Sequence, residues 1–125
     1  MASLVLLHGP DQRKYLPLKD GTVVIGRDES LPLQVLDQRV SRKHLRLRLD
    51  TDTGDWLAKD LGSRHGSTVA GTPLQGDIEA VLTDRDRIQI GDSTLVYTTQ
   101  NFPSIASALE AFRQPGERHK QTLTD

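Results

Sequence analysis

The chain has 125 residues, of which 26% are charged and 35% hydrophobic, and its net charge is −1. A single domain is the default at this length, and with no cysteine neither a disulfide framework nor a thiolate metal site can form. The balanced charge lacks the basic excess of a duplex-binding surface, so nucleic acid is not an expected partner and any anion must be gripped by local groups.

The first strand-like run is Leu4–Leu7. It is too short for a signal-peptide core and no basic region precedes it. No segment is apolar over the length of a bilayer, so a soluble, cytoplasmic protein without a membrane partner is expected. Lys19-Asp20-Gly21-Thr22 carries Asp-Gly, a hairpin signal. Val23–Ile25 and Gln34–Leu36 are further strand candidates. His44-Leu45-Arg46-Leu47-Arg48-Leu49 alternates strictly, the period-two pattern of a half-buried strand. A polar loop, Asp50 to Asp55, leads to another candidate over Asp55–Ala58. Arg87–Ile90 alternates again, and Ser93–Thr98 follows after Gly91-Asp92. Many short strands separated by Gly, Pro and Asp, with no helical pattern between them, predict an all-β sandwich of mostly antiparallel strands.

The end of the chain differs. Ile105, Leu109 and Phe112 recur at helical spacing after Pro103-Ser104, and Pro115-Gly116 would stop the helix. The expected organisation is a compact unit over 1–100, then a short helix and a polar tail over 101–125.

Three clusters carry the chemistry: Gly26-Arg27, Ser41-Arg42-Lys43-His44, and Ser63-Arg64-His65-Gly66-Ser67-Thr68. Each lies between strand candidates. Guanidinium forks and hydroxyls are donors, and a set gathered on loops suits a phosphate dianion. A nucleophile–base pair of Ser41 and His44 is the enzymatic alternative, but no G-x-S-x-G elbow is present, and no catalytic residue is assigned. The third cluster is neither a P-loop nor a G-x-G-x-x-G turn. His8, His44, His65 and His119 match no metal-ligand spacing, so neither metal nor cofactor is expected.

In this order the clusters resemble the forkhead-associated (FHA) family, whose pattern runs Gly-Arg, Ser-Arg-x-His, then Ser-x-Asn-Gly-Thr-x-x-Asn-Gly. The resemblance covers roughly Ser3 to Thr99. It implies a β-sandwich of about eleven strands that binds phosphothreonine peptides through loops at one end. By that resemblance Arg27, Ser41, Arg42 and Arg64 would hold the phosphate. Ser63, His65 and Ser67 would face the peptide, and Gly26, His44 and Gly66 would support the site. The implied partner is a threonine-phosphorylated protein, either a substrate of a Ser/Thr kinase or such a kinase itself. The family's two asparagines are His65 and Ala70 here, so a scaffold of the same fold that binds an unphosphorylated protein is the alternative. Thr122 has an acid three residues on, at Asp125; phosphorylated, it could serve as a ligand in cis or in trans.

Overall fold

A computed structural model describes residues 2–11, 13–19, 21–100 and 102–112. Asp20, the Pro115-Gly116 stop, His119 and the tail with Thr122 lie outside the described residues.

Among the described residues, eleven strands and one helix follow one another: β1 (Ser3–His8), β2 (Lys14–Pro17), β3 (Thr22–Gly26), β4 (Leu33–Gln34), β5 (Leu45–Leu49), β6 (Trp56–Asp60), β7 (Ser67–Val69), β8 (Thr72–Pro73), β9 (Ala80–Val81), β10 (Arg87–Ile90), β11 (Ser93–Thr98) and α1 (Ile105–Ala111). They form two sheets, ordered β2-β1-β11-β10-β7-β8 and β4-β3-β5-β6-β9. All pairings are antiparallel except β3 with β4.

The alternation read from the sequence is the alternation of burial. Leu45 and Leu47 are fully buried, while Arg46 and Arg48, each one residue on, point outward. Leu4, Leu6, Ile25, Ile88, Ile90 and Leu95 meet them from the other strands as one core between the sheets. Burying such side chains at about 25 cal/mol per Å² of apolar surface is the main drive to fold.

The expected Lys19–Thr22 hairpin is a correction. β2 pairs only with β1, and β3 pairs with β4 and β5. The turn therefore carries the chain from one sheet to the other.

The helix forms where its spacing predicts. Ser104 caps it, its side chain accepting the Ser107 N–H at 3.2 Å. Its buried Ala108, followed by Phe112, covers Val5, Leu7 and Val96 on the outer face of the six-stranded sheet. Phe102 stands edge-on to both Tyr15 and Phe112. Among the described residues no helix is long and apolar enough to cross a membrane.

Strand direction gathers the functional loops. Ile25 pairs with Leu45, Leu45 with Asp60, and Ser67 with Ile90. The segments 27–44, 61–66 and 91–92 therefore emerge at one end of the sandwich.

Candidate functional site

Gly26 ends β3 with no room for a side chain. A Cβ there would stand 2.1 Å from the Arg42 carbonyl oxygen, because the backbone of the second cluster runs directly against it. Arg27 N–H donates to the Ser41 carbonyl at 3.0 Å, and Asp28 N–H to the Arg42 carbonyl at 3.3 Å. The first two clusters are thus zipped together by backbone.

Among the described residues the Arg27 guanidinium spends only its Nε–H on the protein, donating to the Val40 carbonyl at 3.1 Å. That bond fixes the fork while both Nη groups remain available. Arg27, Asp28, Glu29, Gln34 and Arg42 line a cleft of about 370 Å³. Asp28 sits beside Arg42 and Lys43. The backbone N–H and hydroxyl of Ser30, outweighing a small desolvation, hold its carboxyl below the usual aspartate range with help from those two cations.

His44 is the hinge of the arrangement. Its side chain is fully buried. Nδ1 accepts the Ser41 N–H at 3.0 Å, so the proton sits on Nε2, which donates to the Gly66 carbonyl at 2.8 Å. One imidazole therefore fastens the second cluster to the third. With both nitrogens committed to protein, His44 has no lone pair for a metal. It also meets the backbone of Ser41, not its hydroxyl, so the pair is not arranged as nucleophile and base.

The Ser41 hydroxyl accepts the Arg64 backbone N–H at 3.2 Å. Among the described residues no acceptor takes its own proton. Arg64 has spent its backbone donor, so its exposed side chain is what it can offer a ligand.

Beneath the third cluster lies Asp60, 9% exposed. Oδ1 accepts the Ser63 N–H at 2.7 Å, and Oδ2 accepts the hydroxyls of Ser63 and Ser67, each at 2.5 Å. Burial pushes this carboxyl up. Those hydroxyls, the Ser63 N–H and the neighbouring His44 ring outweigh it and hold the pKa below the ordinary aspartate value. Ser63 Oγ also accepts the Gly66 N–H at 2.9 Å, and Gly66 itself takes the left-handed φ of 82° that closes the turn.

Two of the residues expected at the peptide are already engaged inside the protein. Ser67 is 3% exposed and its hydroxyl is turned to Asp60. Ser63 has given its proton to the same carboxylate. Of the three residues expected at the peptide, His65 is the exposed one. It lines a second cleft of about 430 Å³ with Thr68, Leu74, Gln75 and Gln89.

Sequence reasoning passed over Asp37. It is 1% exposed. Its carboxylate accepts the Arg39 N–H at 2.9 Å, the Asp92 N–H at 2.8 Å and the Ser93 hydroxyl at 2.7 Å. It thereby pins the segment before Ser41 to the β10–β11 turn. An aspartate between two strand candidates carries no local mark of this role, since the two partners that pin it to the β10–β11 turn lie 55 and 56 residues away.

The family model described as FHA domain matches residues 23–91, more than half of the chain. FhaA of Mycobacterium tuberculosis, an FHA domain-containing protein, is 37% identical over 79 residues, 63% of this chain and 14% of that protein. The glycogen accumulation regulator GarA of Mycolicibacterium smegmatis is 34% identical over 98 residues, 78% of this chain and 59% of GarA. The chain thus spans less than two thirds of these relatives. It superposes on an FHA domain analysed for phosphothreonine-dependent interactions with a TM-score of 0.66 and 32% identity, covering 81% of this chain and 98% of that one. The FhaA FHA domain complexed with the intracellular domain of Rv3910 gives a TM-score of 0.66 and 32% identity over 78% of this chain and 99% of that one.

Proposed function

The chain belongs to the forkhead-associated (FHA) family, and from that premise we propose that it is a phosphothreonine-dependent protein-binding module that docks a kinase-modified partner at the loop end of its sandwich. The observation that carries this reading is the pairing of Arg27, held by one N–H with two Nη groups unspent, and Ser41, whose hydroxyl accepts from Arg64 and keeps its proton for a ligand.

Phosphothreonine brings a charge near −2 and three strong acceptor oxygens. Arg27 and Arg42 supply the countercharge, Ser41 a short donor, and the Arg64 side chain a further cation from the opposite loop. His65 meets the peptide beside the phosphate. Gly26, His44, Gly66, Ser63 and Ser67 keep the donors at fixed spacing, which lowers the ordering cost of binding. Two or three charge-assisted bonds at about 1.5–3 kcal/mol each account for most of the roughly −8 kcal/mol of a micromolar complex.

The partner class is a threonine-phosphorylated protein, a kinase substrate or a kinase. Similar FHA proteins support this: the FhaA domain has been seen with the intracellular domain of another protein. A reader of kinase products works where ATP is, and the cytoplasm is its proposed place. No chemical step is assigned to it.

Calorimetry with one peptide in phosphothreonine, phosphoserine and unmodified forms tests the reading. Binding of the first alone, or of the first much more tightly, is expected. Equal binding of the unmodified peptide would overturn it in favour of a phosphate-independent scaffold.

A further inference from the structure

The opposite end of the sandwich is open. Ala2, Leu18, Lys19, Leu49, Trp56 and Tyr97 are the principal walls of a cleft of about 650 Å³, within the range of small-molecule sites. It lies where β3 begins and β5 ends, a full strand length from the phosphate-site loops.

Two aromatic residues set its chemistry. Trp56 is 5% and Tyr97 4% exposed. Among the described residues neither the Trp56 indole N–H nor the Tyr97 hydroxyl has a hydrogen-bond partner, and neither atom is sealed inside the protein. Buried polar groups are ordinarily paired, and Tyr and Trp in particular pair their polar tips when buried. Here both rings belong to the core, both residues line the cleft, and both keep an unspent donor. The Tyr97 phenol is protonated and able to donate at neutral pH, and burial first, then the carboxylates of Asp55 and Asp84, raise its pKa further. Asp84 is itself engaged by the Thr98 hydroxyl and the Thr99 N–H. Lys19, exposed at the rim, adds a third donor.

Three donors over an apolar floor call for an acceptor on an apolar body. A cationic guest gains little here: the ring faces are packed into the core, leaving little aromatic surface for a cation to stack on, and the Lys19 ammonium offsets the Asp55 carboxylate that also lies near Tyr97. We propose that this cleft is a second binding site, for a small molecule with an apolar body and a carbonyl or carboxylate head. The head would take hydrogen bonds from Tyr97, Trp56 and Lys19, and the body would rest on Ala2, Leu18 and Leu49.

Trp56 is the only tryptophan of the chain, so its fluorescence reports on the cleft directly. The full chain is titrated with 4-phenylbutanoate, 4-phenylbutanamide and 4-phenylbutylamine, which share a body and differ in the head. Saturable change with the acid, the amide or both, and none with the amine, is expected. Response to both assigns a carbonyl acceptor; response to the acid alone assigns a carboxylate. Tyr97→Phe keeps the ring and removes the donor, and is expected to weaken binding about fivefold or more, the loss of one hydrogen bond. Lys19→Gln, at an exposed position, is expected to weaken the acid and leave the amide unchanged. Phosphopeptide affinity is expected to be unaffected by either variant. Absence of saturation with both acceptor compounds at millimolar concentration, an equal response to the amine, or full affinity in folded Tyr97→Phe would overturn the proposal.

Discussion

His44 Nε2 donates to the Gly66 carbonyl oxygen at 2.8 Å across 22 residues of sequence, while its Nδ1 accepts the Ser41 N–H. A fully buried side chain thus sets the distance between the two loops that carry the candidate phosphate donors. Replacing it by alanine leaves a cavity, an unpaired N–H and an unpaired carbonyl. His44→Ala is expected to cost about 3–5 kcal/mol in urea unfolding. It is also expected to lose phosphopeptide binding at temperatures where the variant is still folded. Full peptide affinity in a folded His44→Ala protein would show that the loops hold their spacing without the imidazole.

Arg27 has the opposite profile, exposed and lightly tied. Arg27→Ala is expected to leave circular dichroism unchanged and to weaken phosphopeptide binding at least about a hundredfold in calorimetry, the loss of a two-pronged charge-assisted contact. Arg27→Lys is expected to fall between the two, because an ammonium cannot both reach Val40 and present a planar fork.

Gly26 and Gly54 separate two reasons for a glycine. A Cβ at Gly26 would meet the Arg42 carbonyl at 2.1 Å, whereas one at Gly54 meets nothing although φ there is 79°. Gly54→Ala is expected to cost about 1–2 kcal/mol, the left-handed penalty alone. Gly26→Ala must push two backbones apart and is expected to cost more than about 3 kcal/mol and to abolish phosphopeptide binding. Thermal melts of the two variants side by side make the comparison.

Asp37 and Asp60 predict the acid limit. At Asp37 as at Asp60, burial raises the carboxyl but hydrogen bonds outweigh it; for Asp37 they come from Ser93, Arg39 and Asp92, and both groups end below the ordinary value. Lowered carboxyls bind fewer protons in the folded chain than in the unfolded one. Their stabilisation is therefore complete above the unfolded pKa of about 4 and is lost as pH falls through the folded values. Urea midpoints are expected to be level from about pH 7 to about pH 5 and to drop below that. Asp37→Asn and Asp60→Asn should each be less stable at neutral pH and lose less on acidification than the parent chain. An acid limb as steep in both variants as in the parent would place the sensitivity elsewhere.

Much of this molecule was legible in the sequence. The alternation of Leu45 to Leu49 and of Arg87 to Ile90 predicts strands that the structure contains, and Ile105, Leu109 and Phe112 predict the helix. Other elements were not. β2 ends in Pro17 at a sheet edge, and β8 and β9 are two residues each. Such strands exist because a neighbour offers N–H and C=O groups at the right spacing, as Leu57 and Ala58 do for β9, and no local pattern encodes that.

The site divides in the same way. Residue type and order by themselves determined that arginines, hydroxyls and a histidine would gather on loops between strands, because alternation marks the loops and only a few side chains can grip a dianion. Which hydroxyl faces outward was decided by tertiary structure. Ser41 keeps its proton while Ser63 and Ser67 give theirs to Asp60. That choice follows from where a buried carboxylate comes to lie once β6 is paired to β5, a relationship between strands that no single segment contains.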